Sequence, residues 1–119
     1  MGYYSDVAIA MRKKDLQQML DEARNLPDDN NWTYDFIQEG IANAPIWEDE
    51  DYALITWADI KWYDTKGEVS FIKDFLNHIE DEHYDYLRIG EDYDDVEYHF
   101  ETGEYLLQYE RSIGFGRSF

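Results

Sequence analysis

Acidic residues outnumber basic ones by 28 to 10 in this chain of 119, a surplus of 18 negative charges with the three histidines neutral. Like charges repel in a compact body, so a fold must carry this acid at its surface and hold it apart. Disorder would relieve the repulsion, but disordered acidic segments are poor in aromatics. This chain has four Trp, eleven Tyr and six Phe, and 44% of its residues are hydrophobic. It therefore reads as one packed domain over residues 1–119, with acid in loops and at element ends. Acid of that size on a folded surface also suits a strongly positive counterpart.

Several classes are excluded or disfavoured. With no cysteine there are no disulfides, zinc–thiolate sites or thiol nucleophiles. Asp6 interrupts the N-terminal apolar stretch, and the basic Arg12, Lys13 and Lys14 follow it, which is not the order of a signal peptide. No apolar run approaches the roughly 20 residues that span a bilayer. The expected location is the cytoplasm. Direct contact with nucleic acid or an anionic membrane is disfavoured by charge sign.

Periodicity orders the elements. Residues 3–11 read as a strand, with Ser5, Val7, Ile9 and Met11 on one face. The small Ala8 and Ala10 on the other face would admit a closely packed helix. Residues 13–26 carry a helical stripe of Leu16, Met19, Leu20 and Ala23, stopped by Pro27 and a polar turn at 28–31. Residues 32–44 hold Phe36, Ile37 and Ile41 at the spacing of a further short helix. Residues 52–63 alternate with large side chains on both faces, the pattern of a central strand. Thr65 and Glu68 match a capping box for a helix whose stripe is Val69, Ile72, Phe75, Leu76 and Ile79.

Strands follow at 84–90 and 95–101, then a turn at Thr102 and Gly103, and a last strand at 105–113. In the second of these, Val96, Tyr98 and Phe100 alternate with Glu97, His99 and Glu101. The expected class is α+β: a single mixed, mostly antiparallel sheet of four to five strands. Two helices, or three with residues 32–44, pack on one face, leaving the other open, aromatic and acidic. Helices between the early strands imply crossover connections. Residues 114–119 read as a flexible tail.

Three segments carry a likeness. Gly2-Tyr3-Tyr4-Ser5-Asp6-Val7-Ala8, Lys61-Trp62-Tyr63, and Leu87-Arg88-Ile89-Gly90-Glu91-Asp92 with Asp94 and Asp95 resemble, in this order, small acidic proteins of tailed phages and prophages. The resemblance implies a bacterial host cytoplasm and a phage-related role. It implies no catalytic residue. Residues 28–51 fall outside it and read as this chain's own elaboration.

The acid is grouped. Glu48, Asp49, Glu50 and Asp51 form one cluster, Glu80, Asp81, Glu82 and Asp85 a second, and Glu91, Asp92, Asp94, Asp95 and Glu97 a third. Each cluster alone reads as a solvated turn or the protection of a sheet edge. Together they suit a polyanionic surface for a partner. DNA carries one charge per about 1.7 Å, and spaced carboxylates imitate part of that row.

The leading expectation is a non-enzymatic acidic binding protein, a phage-type inhibitor that mimics nucleic acid in the basic groove of a host protein. The alternatives are a phage structural or assembly protein whose acid serves solubility, and a divalent-cation or small-ligand module.

Other motifs are weaker. Asp92, Asp94, Asp95 and Glu97 offer oxygen ligands, but without the mid-loop Gly and distal Glu of a calcium loop. His78 and His83 are five apart, not the four that align two ligands on a helix. His99 is expected to pair with a neighbouring carboxylate. Gly114-Phe115-Gly116-Arg117 opens no helix, so it is no phosphate cradle. No cofactor, metal site or catalytic residue is expected. Trp57, Trp62, Tyr63, Tyr84, Tyr86 and Tyr93 read as core or cross-strand pairs. Any left exposed beside acid would anchor a partner or a second copy in a homodimer.

Overall fold

Strand β1 (Ser5–Arg12) runs straight into helix α1 (Lys13–Arg24), followed by α2 (Trp32–Asn43) and β2 (Tyr52–Ile60). Helix α3 (Gly67–His78) and a single 3₁₀ turn (Asp81–His83) lead to β3 (Tyr84–Gly90) and β4 (Val96–Phe100). Two short strands, β5 (Gln108–Tyr109) and β6 (Ile113–Gly114), come last. This computed structural model describes residues 2–27, 30–45, 49–109 and 113–114. The turn at 28–29, Glu48, residues 110–112 and the tail beyond Gly114 lie outside the described residues.

The class is the α+β fold expected, with the main sheet in the order β2-β1-β3-β4. Each neighbouring pair in it is antiparallel. The crossovers implied by the intervening helices take a particular form. β2 and β3 run parallel to one another but on either side of β1, so no parallel pair is hydrogen-bonded. The short hydrophobic strand at the N-terminus thus becomes a central one. Val7, Ile9 and Met11 are fully buried on one face of it, Ala8 and Ala10 on the other.

The large-residue face of β1 takes the helices. Leu16, Met19, Ala23, Ile37, Val69, Ile72, Phe75 and Leu76 join Val7, Ile9 and Met11 in one core. Side chains of that size each gain about 1.5–3 kcal/mol on full burial, which is ample reason for the helical stripes to seat here. The alanine face, expected to receive a helix, is covered instead by Leu106, Leu107 and Ile113 of the C-terminal segment. The open face of the sheet is therefore confined to its β4 side.

Strand β2 lies at an edge, not in the centre. Its large residues on both faces are explained by α2 and the C-terminal segment, which cover one side each. Its alternation also breaks. Ser5 pairs with Ile60 but Val7 with Trp57, so β2 carries one extra residue there. Asp59 takes φ +54° at this bulge, and its N–H donates to Asp6 Oδ1 at 2.9 Å. The slip returns Trp62 to the face of Trp57; strict alternation would separate them.

An aromatic row results. Phe36 stacks on Trp57 at 4.8 Å, Trp57 meets Trp62 at 5.3 Å, and Trp62 meets Tyr86 at 6.4 Å. Helix α2, inside the segment that the resemblance left out, supplies part of this core through Phe36 and the fully buried Ile37. Two left-handed asparagines, Asn30 and Asn31, turn the chain into it.

Gly40 of α2 lies against the ring of Trp57, where a Cβ would fall 2.6 Å from Cε2 and Cζ2. Gly40→Ala should destabilise by about 1–2 kcal/mol, because overpacking outweighs the better helix propensity of alanine. Gly67→Ala at the open start of α3 meets nothing within 4 Å. It should leave the melting temperature unchanged or slightly raised. Thermal melts of the two variants, side by side, check the sign of each.

Two further expectations are corrected. Thr65 and Glu68 form no capping box, since α3 begins after Lys66 without a side-chain cap bond. The last strand is not continuous over 105–113. Tyr105 turns at φ +53° and Leu106 and Leu107 are buried, so the chain leaves β4, and among the described residues β5 and β6 pair with each other in a separate two-stranded sheet.

Candidate functional site

Register decides where the acid goes. At one end of the sheet, where β1 finishes and β2 and β3 start, lie Asp49, Glu50 and Asp51 together with Glu80, Asp81 and Glu82. Arg12, Lys13 and Lys14 begin α1 at this same end, so its charge is mixed. At the opposite end the β3–β4 loop carries exposed Glu91, Asp92 and Asp94. Asp6 and Asp59, both exposed, belong to this end too. With Tyr4 and Glu91 they line a depression of about 240 Å³. The acid is thus gathered at two ends, not along one continuous side.

Of the expected partner-binding carboxylates, Glu91 accepts from the Tyr4 N–H and Asp49 from the Asp51 and Tyr52 N–H groups while staying at the surface, and three more are engaged deeper in the fold. Asp85 is only 2% exposed and accepts from the Thr102 N–H at 3.1 Å and hydroxyl at 2.8 Å. Alternation puts it opposite Ala10, beneath the C-terminal segment, so it ties down the turn after β4. Asp95 and Glu97 close around Arg88. The guanidinium donates to both Asp95 oxygens, at 2.8 and 3.2 Å, to Glu97 Oε1 at 3.2 Å and to Ser5 Oγ at 3.2 Å. The Tyr3 hydroxyl also donates to Asp95. Trp62 Nε1 donates to the Tyr86 hydroxyl at 3.0 Å, and that hydroxyl donates to Glu97 at 2.6 Å. Lys73 of α3 completes the set 3.5 Å from Glu97.

This network moves the titrations of its members. The Arg88 hydrogen bonds, with that of Tyr3, hold the Asp95 carboxyl down at about 2. Burial works against ionised Glu97, but the Tyr86 hydrogen bond and the charges of Lys73 and Arg88 outweigh it and keep that carboxyl below its usual range. Burial pushes the Tyr86 hydroxyl well above the ordinary tyrosine value, so it remains a donor. The same geometry engages two members of the oxygen-ligand set Asp92, Asp94, Asp95 and Glu97. Asp95 and Glu97 face an arginine, and among the described residues no group of three or more His, Asp or Glu could hold a metal ion.

The histidines find other neighbours. His99 sits on the helix-facing side of β4, where its ring stacks on Tyr84 at 4.1 Å and Nε2 lies 2.9 Å from the Asp81 carbonyl. It does not pair with Glu97 or Glu101 through a side chain. His83 Nδ1 is 3.1 Å from the Asp15 carboxylate, and His78 meets the Asp74 carbonyl. Of the six aromatics singled out above, Trp57, Trp62, Tyr84 and Tyr86 are buried, Tyr63 is half-buried, and Tyr93 is 74% exposed.

Strand β4 is the edge opposite β2, runs between the two acidic ends, and among the described residues pairs only with β3. The Gly90 N–H donates to the Asp95 carbonyl at 2.8 Å, which marks a hydrogen-bonded pair. Alternation then directs the backbone groups of Glu97 and His99 toward β3, and those of Val96, Tyr98 and Phe100 outward. Tyr98 is 67% exposed and packs on Phe100, 5.2 Å between ring centroids. Tyr93 and Tyr105, both exposed, stand near either end of the strand. Sequence reasoning placed Tyr98 and Phe100 only on one side of an alternation. It passed over Asp6 and Asp59 as ordinary strand positions, although a charge inside the otherwise uncharged run 52–60 coincides with the bulge.

The chain matches no family model, no curated protein and no solved structure. No described helix is long and apolar enough to cross a membrane.

Proposed function

We propose that this protein is a non-enzymatic acidic binding protein whose partner is cationic. The observation that carries the reading is the pairing of charge with anchors. Acidic groups stand at both ends of β4, and exposed aromatic rings lie along it. Carboxylates raise the encounter rate with a basic partner, whereas desolvated aromatic rings slow its departure. The narrower form of the proposal is a phage-type inhibitor occupying a groove built for nucleic acid, in a bacterial host cytoplasm. The resemblance of residues 2–8, 61–63 and 87–92 with Asp94 and Asp95 to phage acidic proteins favours that form.

A capture experiment tests it. Bacterial lysate passed over the immobilised protein at low salt should yield a basic protein that elutes as salt rises and is displaced by added duplex DNA. Neutralising Asp92 and Asp94 together, as Asp92→Asn and Asp94→Asn, should weaken that binding about tenfold at low salt and reduce its salt dependence. Both side chains are solvated at a loop, so stability should not change. Binding indifferent to salt, to DNA and to both substitutions would exclude the proposal.

A further inference from the structure

The exposed edge of β4 has a feature that acid alone does not provide: outward backbone donors and acceptors on Tyr98 and Phe100, with the outward Val96 carbonyl beside them, the Val96 N–H being taken by the Asp94 carbonyl at 3.2 Å. A row of such groups is a template for another strand. β4 has five residues, Val96–Phe100, and at about 3.3 Å per residue it presents roughly 16 Å of edge.

Charge selects between the possible occupants. A second copy added antiparallel about Tyr98 would place each molecule's Asp92–Asp94 loop beside the other's Glu101 and 3₁₀-turn acids. Like charge would meet like at both ends. A segment with basic residues at both ends meets opposite charge instead, and its middle crosses Tyr98 and Phe100.

Resting on the cationic-partner reading, we infer that the partner binds by strand addition: an extended segment, basic at its ends and apolar in alternate central positions, extends the sheet at β4. Main-chain hydrogen bonds hold such a segment, while flanking charge and side-chain contacts select it. The open-face residues of the added strand lie beside the Tyr98–Phe100 pair. Those on the helix side lie beside Glu97 and His99.

The probe is a synthetic peptide with lysine pairs at both ends and alternating valine and threonine between them. Its control is the same peptide N-methylated throughout the central stretch, which keeps every charge and side chain but removes the strand-forming donors. The full chain should bind the parent peptide in a salt-sensitive way and the methylated one about tenfold or more weakly, the loss expected for two or three hydrogen bonds. Tyr98→Pro should reproduce that loss, since the N–H it removes points away from β3. Tyr98→Ala should retain the strand-forming part of the affinity. Amide exchange at Tyr98 and Phe100 should slow on binding.

Equal affinity for both peptides overturns strand addition and leaves the cationic partner standing. Failure to bind either peptide at low salt overturns both, and assigns the acid to shielding the edge from self-association. The methylated peptide decides the matter even if Tyr98→Pro does not fold.

Discussion

Trp57→Ala should be the most damaging single substitution in the core, with a loss of about 4 kcal/mol, equivalent to a fall of roughly 15 °C in melting temperature. The indole is 2% exposed and stacks on Phe36 within 12° of parallel. It also touches Trp62, and its Nε1 donates to the Phe36 carbonyl at 3.0 Å. Truncation leaves a cavity beneath α2 and removes the indole hydrogen bond to the part-buried Phe36 carbonyl. Neither neighbour can collapse into the space, because Phe36 is held by the helix and Gly40 has no side chain to advance. Chemical denaturation with an unchanged dependence on denaturant is the measurement. A loss below about 1 kcal/mol would mean that α2 does not seat on β2 as described.

Arg88→Met should cost about 2–3 kcal/mol at neutral pH, less than a fully buried pair would, because Asp95 and Glu97 both reach solvent. Methionine keeps much of the volume, so the loss reports the charge. Two carboxylates, a serine hydroxyl and a tyrosine hydroxyl would then face each other without their common cation.

The effect must depend on pH in one direction. Asp95 has a folded value of about 2 against an ordinary 3.8, and Glu97 is lowered as well. Depressed carboxyls stabilise the fold above their unfolded values, and that contribution disappears as pH falls through the folded ones. The gap between native protein and variant should therefore be widest near neutrality and narrow below about pH 4, closing toward pH 2. Protonation of surface acid relieves repulsion in both proteins alike, so the difference isolates the network. Denaturant titrations of the pair at several pH values check it. A gap that stays constant down to pH 3 or so would refute the assignment.

How much was legible depended on the kind of information involved. The stripe Leu16, Met19, Leu20 and Ala23 could be read directly, because helical spacing is local. So could β3, since an apolar run between charged turns leaves few alternatives. The grouping of acid in sequence was equally plain, and its loop members Glu91, Asp92 and Asp94 stay together at the surface. The site was harder. Asp95 and Glu97 look like loop acid beside Asp92 and Asp94, and nothing local reveals that Arg88 lies between them. Asp85 looks like part of a charged run until Thr102 is seen folding back onto it. The aromatic edge at Tyr98 was visible as a pattern without a side.

The residues alone were enough to require a packed, acidic α+β body, because periodicity, aromatic content and net charge each act within a few positions of the chain. Tertiary structure alone settled that β1 is central and β2 an edge, that a one-residue bulge brings Trp62 beside Trp57, and that the acid divides between two ends of the sheet. Strand order and register join residues far apart in sequence, and one slipped residue exchanges the faces of a strand. That choice is made by the summed burial of the whole core, which no short stretch of sequence contains.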